Sequence, residues 1–193
     1  MTRLSKLEDR VRELYRAKNA DRADWADWLF EHHVFVVADY AEELAKRYGA
    51  NEEFARAAAV LHDIADVRMQ RNNSDHEAES LRLARELMEE AGYNKEEIGL
   101  VVDDAIRYHS CHDGEQPDSI EGKILATADS LAHLKTDFYL YATWIFGRNR
   151  TLNEIKSWVL KKLDRDLSDK IFFDDVRADV LPDYNLVKEL FSR

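Results

Sequence analysis

Apolar residues recur along most of this chain at steps of three and four, which is the spacing of one buried face of an α-helix. The pattern predicts an all-α, single-domain helical bundle. We expect an amphipathic helix over residues 4–18, a core over about 24–135 and C-terminal helices over about 136–193. Within the last part, residues 166–193 are predicted to form short helices interrupted at Pro182, because proline removes a backbone donor.

Polar caps and glycines mark the ends of the predicted helices. Asp24 is a candidate N-cap for a long helix that ends at Tyr48, where Gly49 follows as a stop signal. Asn51 is expected to cap the next helix, which should run to about Asp66. Four further helices are predicted from their caps, at Ser74 or Asp75, at Asn94, at Asp118 and at Thr151.

The stretch 57–66 reads as a helix with almost no polar face, yet it carries His62 and Asp63 side by side. A buried carboxylate without a partner costs several kcal/mol, so its charge must be compensated. A bound metal cation would do this. The alternative is a core histidine that hydrogen-bonds to a carbonyl, next to an aspartate paired with an arginine.

Further histidine and aspartate side chains fall on apolar faces elsewhere. His33 lies within the buried stripe of the long helix, whereas His32 is about 100° away and faces a flank or solvent. His109 ends the stripe of a later helix, and Asp129 sits in an apolar arc. Any one of these has an ordinary core explanation, but together they predict a metal site inside the bundle. The candidate ligands are His33, His62, Asp63, His109 and Asp129.

The order and spacing of these residues resemble the HD-domain superfamily of metal-dependent phosphohydrolases. The matching segments are His33-Val-x-x-Val-Ala-x-Tyr-Ala, Ala-Val-Leu-His62-Asp63-Ile-Ala-Asp66, His76-x-x-x-Ser80, Ile106-Arg-Tyr-His109 and Lys123-Ile-Leu-Ala-Thr-Ala-Asp129-Ser-Leu. The resemblance implies one divalent metal ion on His33, His62, Asp63 and Asp129. It implies that His76 and His109 bind a second ion or the phosphate. Thr127 and Ser130 stand where many relatives have an aspartate and a lysine or arginine, and this difference bears on which substrate is bound.

The resemblance also implies a reaction, the hydrolysis of a small phosphorylated metabolite or nucleotide by metal-activated water. The metal is left open among Mn, Fe, Co, Ni, Zn and Mg, with one or two ions per chain. Candidate substrate-binding groups are Arg68, Arg71 and Arg107, and candidate catalytic groups are Asp63, Asp66 and Lys123. The alternatives are a ligand-binding sensor or scaffold without turnover and an HD-type di-iron oxygenase.

Composition and charge argue against several classes of binding partner. The formal net charge of −11 and the absence of a Lys/Arg-rich run argue against a nucleic acid polymer as partner. The single cysteine, Cys111, leaves no internal disulfide, and no apolar run is long enough to span a membrane. We therefore expect a cytoplasmic protein with a small phosphorylated substrate and no membrane partner. The aromatic-rich stretch after residue 137 is expected to be core or the face of a homodimer.

Overall fold

The computed structural model describes all 193 residues and is all-α, as predicted, with no β-strand. Its α-helices are α1 (Arg3–Arg16), α2 (Ala26–Leu29), α3 (Phe35–Tyr48), α4 (Glu52–Leu61), α5 (His76–Ala91), α6 (Lys95–Ile98), α7 (Ile120–Lys135), α8 (Phe138–Phe146), α9 (Leu152–Ser168) and α10 (Asp174–Ser192). Two π-helical segments, Phe30–Val34 and Gly99–Ile106, and three 3₁₀ turns, Ile64–Val67, His112–Gly114 and Gly147–Asn149, complete the helical structure.

Helix α7 forms the centre of the bundle. Every residue from Ile124 to Leu134 is buried, so this helix has no solvent face over that length. A helix with no solvent face must pack against other elements on all sides. Helices α3, α4, α9 and α10 and the second π-helical segment pack against α7 and supply that cover. Asp129 therefore lies in the interior because its helix does.

The two ends of the chain join this core through narrow apolar stripes. Leu7, Val11 and Tyr15 of α1 are buried at steps of four. At the other end, Val176 and Val180 hold α10 to the core. The predicted interruption at Pro182 is wrong, because this residue lies inside α10, whose buried face continues past it.

The long predicted helix is divided. Its α-helical part begins at Ala26 with no side-chain cap, so the predicted cap at Asp24 is wrong. The π-helical segment Phe30–Val34 then leads into α3, which ends at Gly49 in the left-handed conformation, with a φ of 69°. Glycine adopts this conformation without the steric cost that a Cβ would bring.

The helix that carries the His-Asp pair is shorter than predicted. The Asn51 side chain accepts a hydrogen bond from the Phe54 amide, as expected for an N-cap. The helix ends at Leu61 and not near Asp66, because the backbone of Asp63, with φ −117° and ψ 25°, leaves the helical region. The chain therefore turns at the predicted metal ligands.

The other predicted starts agree with the structure to within a residue. Capping boxes form at Asn94 and Thr151. Helix α5 follows Asp75, which makes no side-chain cap. The cap of α7 is Ser119 and not Asp118, since the Ser119 hydroxyl accepts from the Gly122 amide. None of the helices combines the length and apolar character needed to cross a membrane.

Gly122 marks a close approach between α7 and the segments before it. A Cβ at this position would lie 2.4 Å from Cβ of Pro117 and 3.1 Å from Cα of Ala105. We expect Gly122→Ala to lower the free energy of unfolding by about 1–3 kcal/mol through overpacking. Gly99→Ala is the matched control, because a Cβ there meets nothing within 4 Å. Urea unfolding of both variants measures the difference, and equal stabilities would contradict it.

Candidate metal centre

Three buried side chains from distant helical segments converge at the first candidate site. Nε2 of His33, on the π-helical segment, lies 3.1 Å from Oδ1 of Asp129 on α7. Nε2 of His62, at the end of α4, lies 3.8 Å from the same oxygen. The three ligand atoms are close enough to hold one metal ion. The buried positions of His33 and Asp129 agree with the apolar stripes in the sequence.

The orientation of His62 supports a ligand role. Its Nδ1 lies 2.7 Å from the carbonyl oxygen of Ala59, which can only accept a hydrogen bond. Nδ1 therefore carries the proton, and Nε2 presents a lone pair toward the site. Nε2 is buried and has no hydrogen-bond partner. A bound cation would satisfy this buried acceptor. The residues present therefore fit a metal ion.

A second group of ligand atoms shares His62 with the first. It comprises His62, Asp63 and His109, with 3.4 Å between Nε2 of His62 and Oδ2 of Asp63. Nδ1 of His109 lies 2.6 Å from the carbonyl oxygen of Ile106, so the proton is again on Nδ1. Burial lowers the pKa of His109 to about 3, which keeps the imidazole neutral. The two overlapping groups are compatible with one ion or with two.

Arg71 compensates the charge of the adjacent carboxylates. Its Nη2 lies 2.6 Å from Oδ2 of Asp63, and its Nη1 lies 2.9 Å from Oδ2 of Asp66. Burial alone would raise the pKa of Asp63, but Arg71 and His62 hold it well below its usual value. This predicted substrate-binding arginine therefore lies beside the candidate metal ligands.

Asp66 orients its neighbours. The residue is fully buried, and its Oδ1 lies 2.9 Å from Nε2 of His76. Since its other oxygen meets Arg71, both carboxylate oxygens are occupied. This arrangement favours an orienting role for Asp66, through hydrogen bonds, over the predicted catalytic role. His76 itself belongs to neither ligand group.

Two predicted site residues lie elsewhere. Arg68 is about half exposed and turns toward Glu79, with 3.6 Å between Nη1 and the carboxylate. Lys123 lies six residues before Asp129 on α7, so the helix turns it to a different side, and it lines neither of the cavities at the site. Arg107 does line one of these cavities.

Lys170 is a member of the site that the sequence analysis missed. Its ammonium group contacts Oδ2 of Asp129, and only 3% of the residue is exposed. Burial raises the pKa of Asp129, but the nearby His133 and Lys170 reverse this effect and leave it well below its usual value. Lys170 lies between α9 and α10, 41 residues after its partner, and no local pattern links the two.

His133 and Asp166 form a second layer around Asp129. Nε2 of His133 lies 3.3 Å from Oδ1 of Asp129, and its Nδ1 lies 3.1 Å from Oδ2 of Asp166. Tyr139 and Lys162 also donate to Asp166. Asp166 lies on the buried face of α9, three residues after Leu163, so helical periodicity predicts its burial as it predicts that of Asp129.

Two cavities meet at the ligand groups. The first has a volume of about 330 Å³ and a mostly polar lining. The second, of about 310 Å³, lies between the core and helices α8 and α9. Asp63, Arg71, His109 and His112 line both cavities. The candidate centre is therefore open to small molecules from two sides.

A helical core that gathers histidine and aspartate side chains at two open cavities defines a helical domain of metal-binding type. The family described as HD domain matches residues 30–134, more than half of the chain. The chain therefore belongs to the HD domain family, which confirms the resemblance seen in its motifs.

The solved structures include one with the same fold. The chain matches, over its whole length and 91% of the other chain, the crystal structure of a predicted HD superfamily hydrolase from an uncultured Thermotogales bacterium. The TM-score is 0.62 and the sequence identity is 24%. At this identity, the likeness shows the fold.

Two sequence relatives match parts of the chain. Ribonuclease Y of Acholeplasma laidlawii is 36% identical over 102 residues, which cover 52% of this chain and 17% of the relative. An uncharacterized protein of Clostridium beijerinckii is 32% identical over 71 residues, covering 36% of this chain and 45% of the relative. The chain thus spans less than half the length of these curated relatives.

The ligand assignment predicts the metal content of three variants. We expect the purified protein to retain about one or two equivalents of a divalent metal, and His33→Ala to lose them. His32→Ala is the matched control, since its side chain is about half exposed. His109→Ala should retain the tighter equivalent. Elemental analysis after metal loading and dialysis measures this. Loss of the tight metal from His109→Ala but not from His33→Ala would contradict the assignment.

The contact between Lys170 and Asp129 predicts a stability effect that depends on metal. In chelator, Lys170→Met should lower the free energy of unfolding by about 3 kcal/mol, because it leaves a buried carboxylate without its cation. A bound divalent metal should reduce this loss. Lys161→Met, at an exposed position of α9, serves as control. Denaturant unfolding with and without metal tests the idea, and an equal loss under both conditions would refute it.

Proposed function

We propose that this protein is a metal-dependent phosphohydrolase that acts on a small phosphorylated metabolite or nucleotide. The observation that carries the proposal is the convergence of the two ligand groups, with Arg71 beside them, where two cavities meet. Membership of the HD domain family supports the metal-binding part of this proposal. The size of both cavities favours a small substrate.

The metal would be held by His33, His62, Asp63 and Asp129, with His109 on the side of Asp63. A divalent cation bound there would supply Lewis acidity and lower the pKa of a water molecule. The ligand histidines contribute by presenting neutral imidazoles. For His62 and His109, the hydrogen bond from Nδ1 to a backbone carbonyl fixes the ring so that Nε2 faces the site.

Arg71 is the group best placed to bind a phosphoryl oxygen. It stays charged, because the nearby Asp63 and Asp66 raise its pKa above its usual value despite burial. It is also about one third exposed, so part of its guanidinium faces the cavities. Two carboxylates fix its position before substrate arrives, and a fixed cation stabilises charge that develops during phosphoryl transfer.

A second candidate function follows from the match to ribonuclease Y, which suggests that a phosphodiester is cleaved. The matched segment is only 17% of that relative. The net charge of −11 disfavours an RNA polymer as the substrate. A small phosphodiester stays open, so the experiment must include diesters as well as monoesters.

The experiment is a substrate screen with the purified 193-residue chain. Phosphate monoesters, small diesters, nucleotides and a short RNA are each incubated with Mn²⁺, Fe²⁺, Co²⁺, Ni²⁺, Zn²⁺ or Mg²⁺. We expect release of phosphate or an alcohol from at least one small ester, and loss of this release with chelator. Ligand binding without turnover would favour a sensor, and metal-dependent oxygen consumption would favour an oxygenase.

Asp63→Asn tests whether hydrolysis belongs to this site. Replacing the carboxylate removes an anionic ligand and a partner of Arg71, so we expect kcat/KM to fall by about a hundredfold or more, with metal content reduced. Asp9→Asn removes one exposed carboxylate from α1 and should keep the native rate. Native activity in Asp63→Asn would place the reaction elsewhere.

A further inference from the structure

The second cavity collects positive charge in an acidic protein. The chain has a net charge of −11, yet five basic side chains and only two carboxylates line this cavity. The carboxylates are the candidate metal ligands Asp63 and Asp129. The basic residues are Arg71, Arg150, Lys162, Arg165 and Lys170.

Three of these cations are neutralised inside the protein. Arg71 pairs with Asp63 and Asp66, Lys162 pairs with Asp166, and Lys170 pairs with Asp129. Because each of these charges is balanced by a buried carboxylate, the three side chains add little net charge to the cavity. The surplus of positive charge in the cavity must therefore come from the other two residues.

Arg150 and Arg165 supply that surplus, because neither forms an ion pair with a carboxylate. Nη1 of Arg165 lies 3.0 Å from Nδ1 of His112, an uncharged partner when the histidine is neutral. Nε of Arg165 is buried without a hydrogen-bond partner. Arg150 is exposed and lines the cavity just before α9, with the Glu154 carboxylate near it but not in an ion pair with it. Guanidinium groups with free donors are suited to carboxylate or phosphate oxygens.

An aromatic wall lies within the same cavity. Trp25, Phe146 and Trp158 line it, and their rings form a chain of edge contacts. The ring centroids of Trp25 and Phe146 are 5.0 Å apart, and those of Phe146 and Trp158 are 6.0 Å apart. Such a wall favours an apolar or aromatic ligand body. Arg150, Arg165, Phe146 and Trp158 all lie outside residues 30–134, the part that matches the HD family.

We propose that Arg150 and Arg165 bind a second anionic group of the substrate, a carboxylate or a phosphate, whose apolar or aromatic body lies along the wall of Trp25, Phe146 and Trp158. This inference rests on the proposed function, in which the scissile phosphate lies at the metal centre beside Arg71. The two arginines are specificity-determining residues, and the substrate is a phosphate ester with two anionic ends.

The test uses phosphonates, whose C–P bond the proposed reaction does not cleave, so binding is measured apart from turnover. The probes are benzylphosphonate, 4-carboxybenzylphosphonate, 1,4-xylylenediphosphonate and the corresponding set with a biphenyl body. Calorimetric titration at fixed ionic strength measures Kd for the metal-loaded native protein and for Arg150→Gln and Arg165→Gln. Arg148→Gln is the matched control, because Arg148 is an exposed neighbour that lies over Trp144 and does not line the cavity.

For the native protein, we expect a second anionic group to tighten binding by about tenfold or more for at least one body length. Comparing the carboxylate and phosphonate probes shows which second group is preferred. In Arg150→Gln and Arg165→Gln this preference should fall to about threefold or less, while Kd for benzylphosphonate changes little. Arg148→Gln should keep the full preference.

Several outcomes would overturn the inference. The first is a native protein that shows no preference for doubly anionic probes at either body length, or that binds no probe at millimolar concentration. The second is that Arg150→Gln and Arg165→Gln weaken the binding of benzylphosphonate as much as the binding of the doubly anionic probes. An equal loss in Arg148→Gln would also overturn it, because the effect would then be general electrostatics. A preserved preference without hydrolysis of any ester would refute the proposed function alone, and hydrolysis without the preference would refute this inference alone.

Discussion

Compensation of two buried carboxylates is the constraint on which the candidate centre depends. Asp63, just after α4, and Asp129, in the middle of α7, are both buried, so water stabilises their charges only weakly. Each is paired with a cation from another segment, Arg71 for Asp63 and Lys170 for Asp129. Lys170 contacts Oδ2 of Asp129 and leaves Oδ1 directed at His33 and His62, whereas Oδ2 of Asp63 lies near both Arg71 and His62. The same pairs therefore allow both burial and metal binding.

Irregular backbone segments lie at or near several of the candidate ligands. His33 lies in a π-helical segment, a second π-helical segment ends three residues before His109, and Asp63 stands where α4 leaves the helical conformation. Segments of π-helix are rare and are frequently found at functional sites. In this protein they adjoin ligands on two separate helices. The surrounding regular helices provide the rigid packing that keeps these local distortions in place.

The sequence was informative where the signal is local. The burial of His33 and Asp129 could be predicted because helical periodicity separates inward from outward positions, and the apolar stretch 57–66 singled out His62 and Asp63. The same reasoning could not place Arg68, since being near His62 in sequence says nothing about which way a loop residue turns. Lys170 and Arg165 reach the site only through packing of the last helices on the core. Such long-range contacts leave no periodic trace in a single sequence.

The pairing of Asp129 with Lys170 also bears on how the protein assembles. During synthesis, α7 is made 41 residues before the lysine that balances its buried charge. Residues 30–134 contain every candidate ligand but lack this cation and two arginines of the second cavity, Arg150 and Arg165. A buried, charged Asp129 needs a compensating cation, and in the folded protein Lys170 brings one from beyond the family match. The C-terminal helices therefore contribute to the interior of the candidate centre and not only to the outer layer of the bundle.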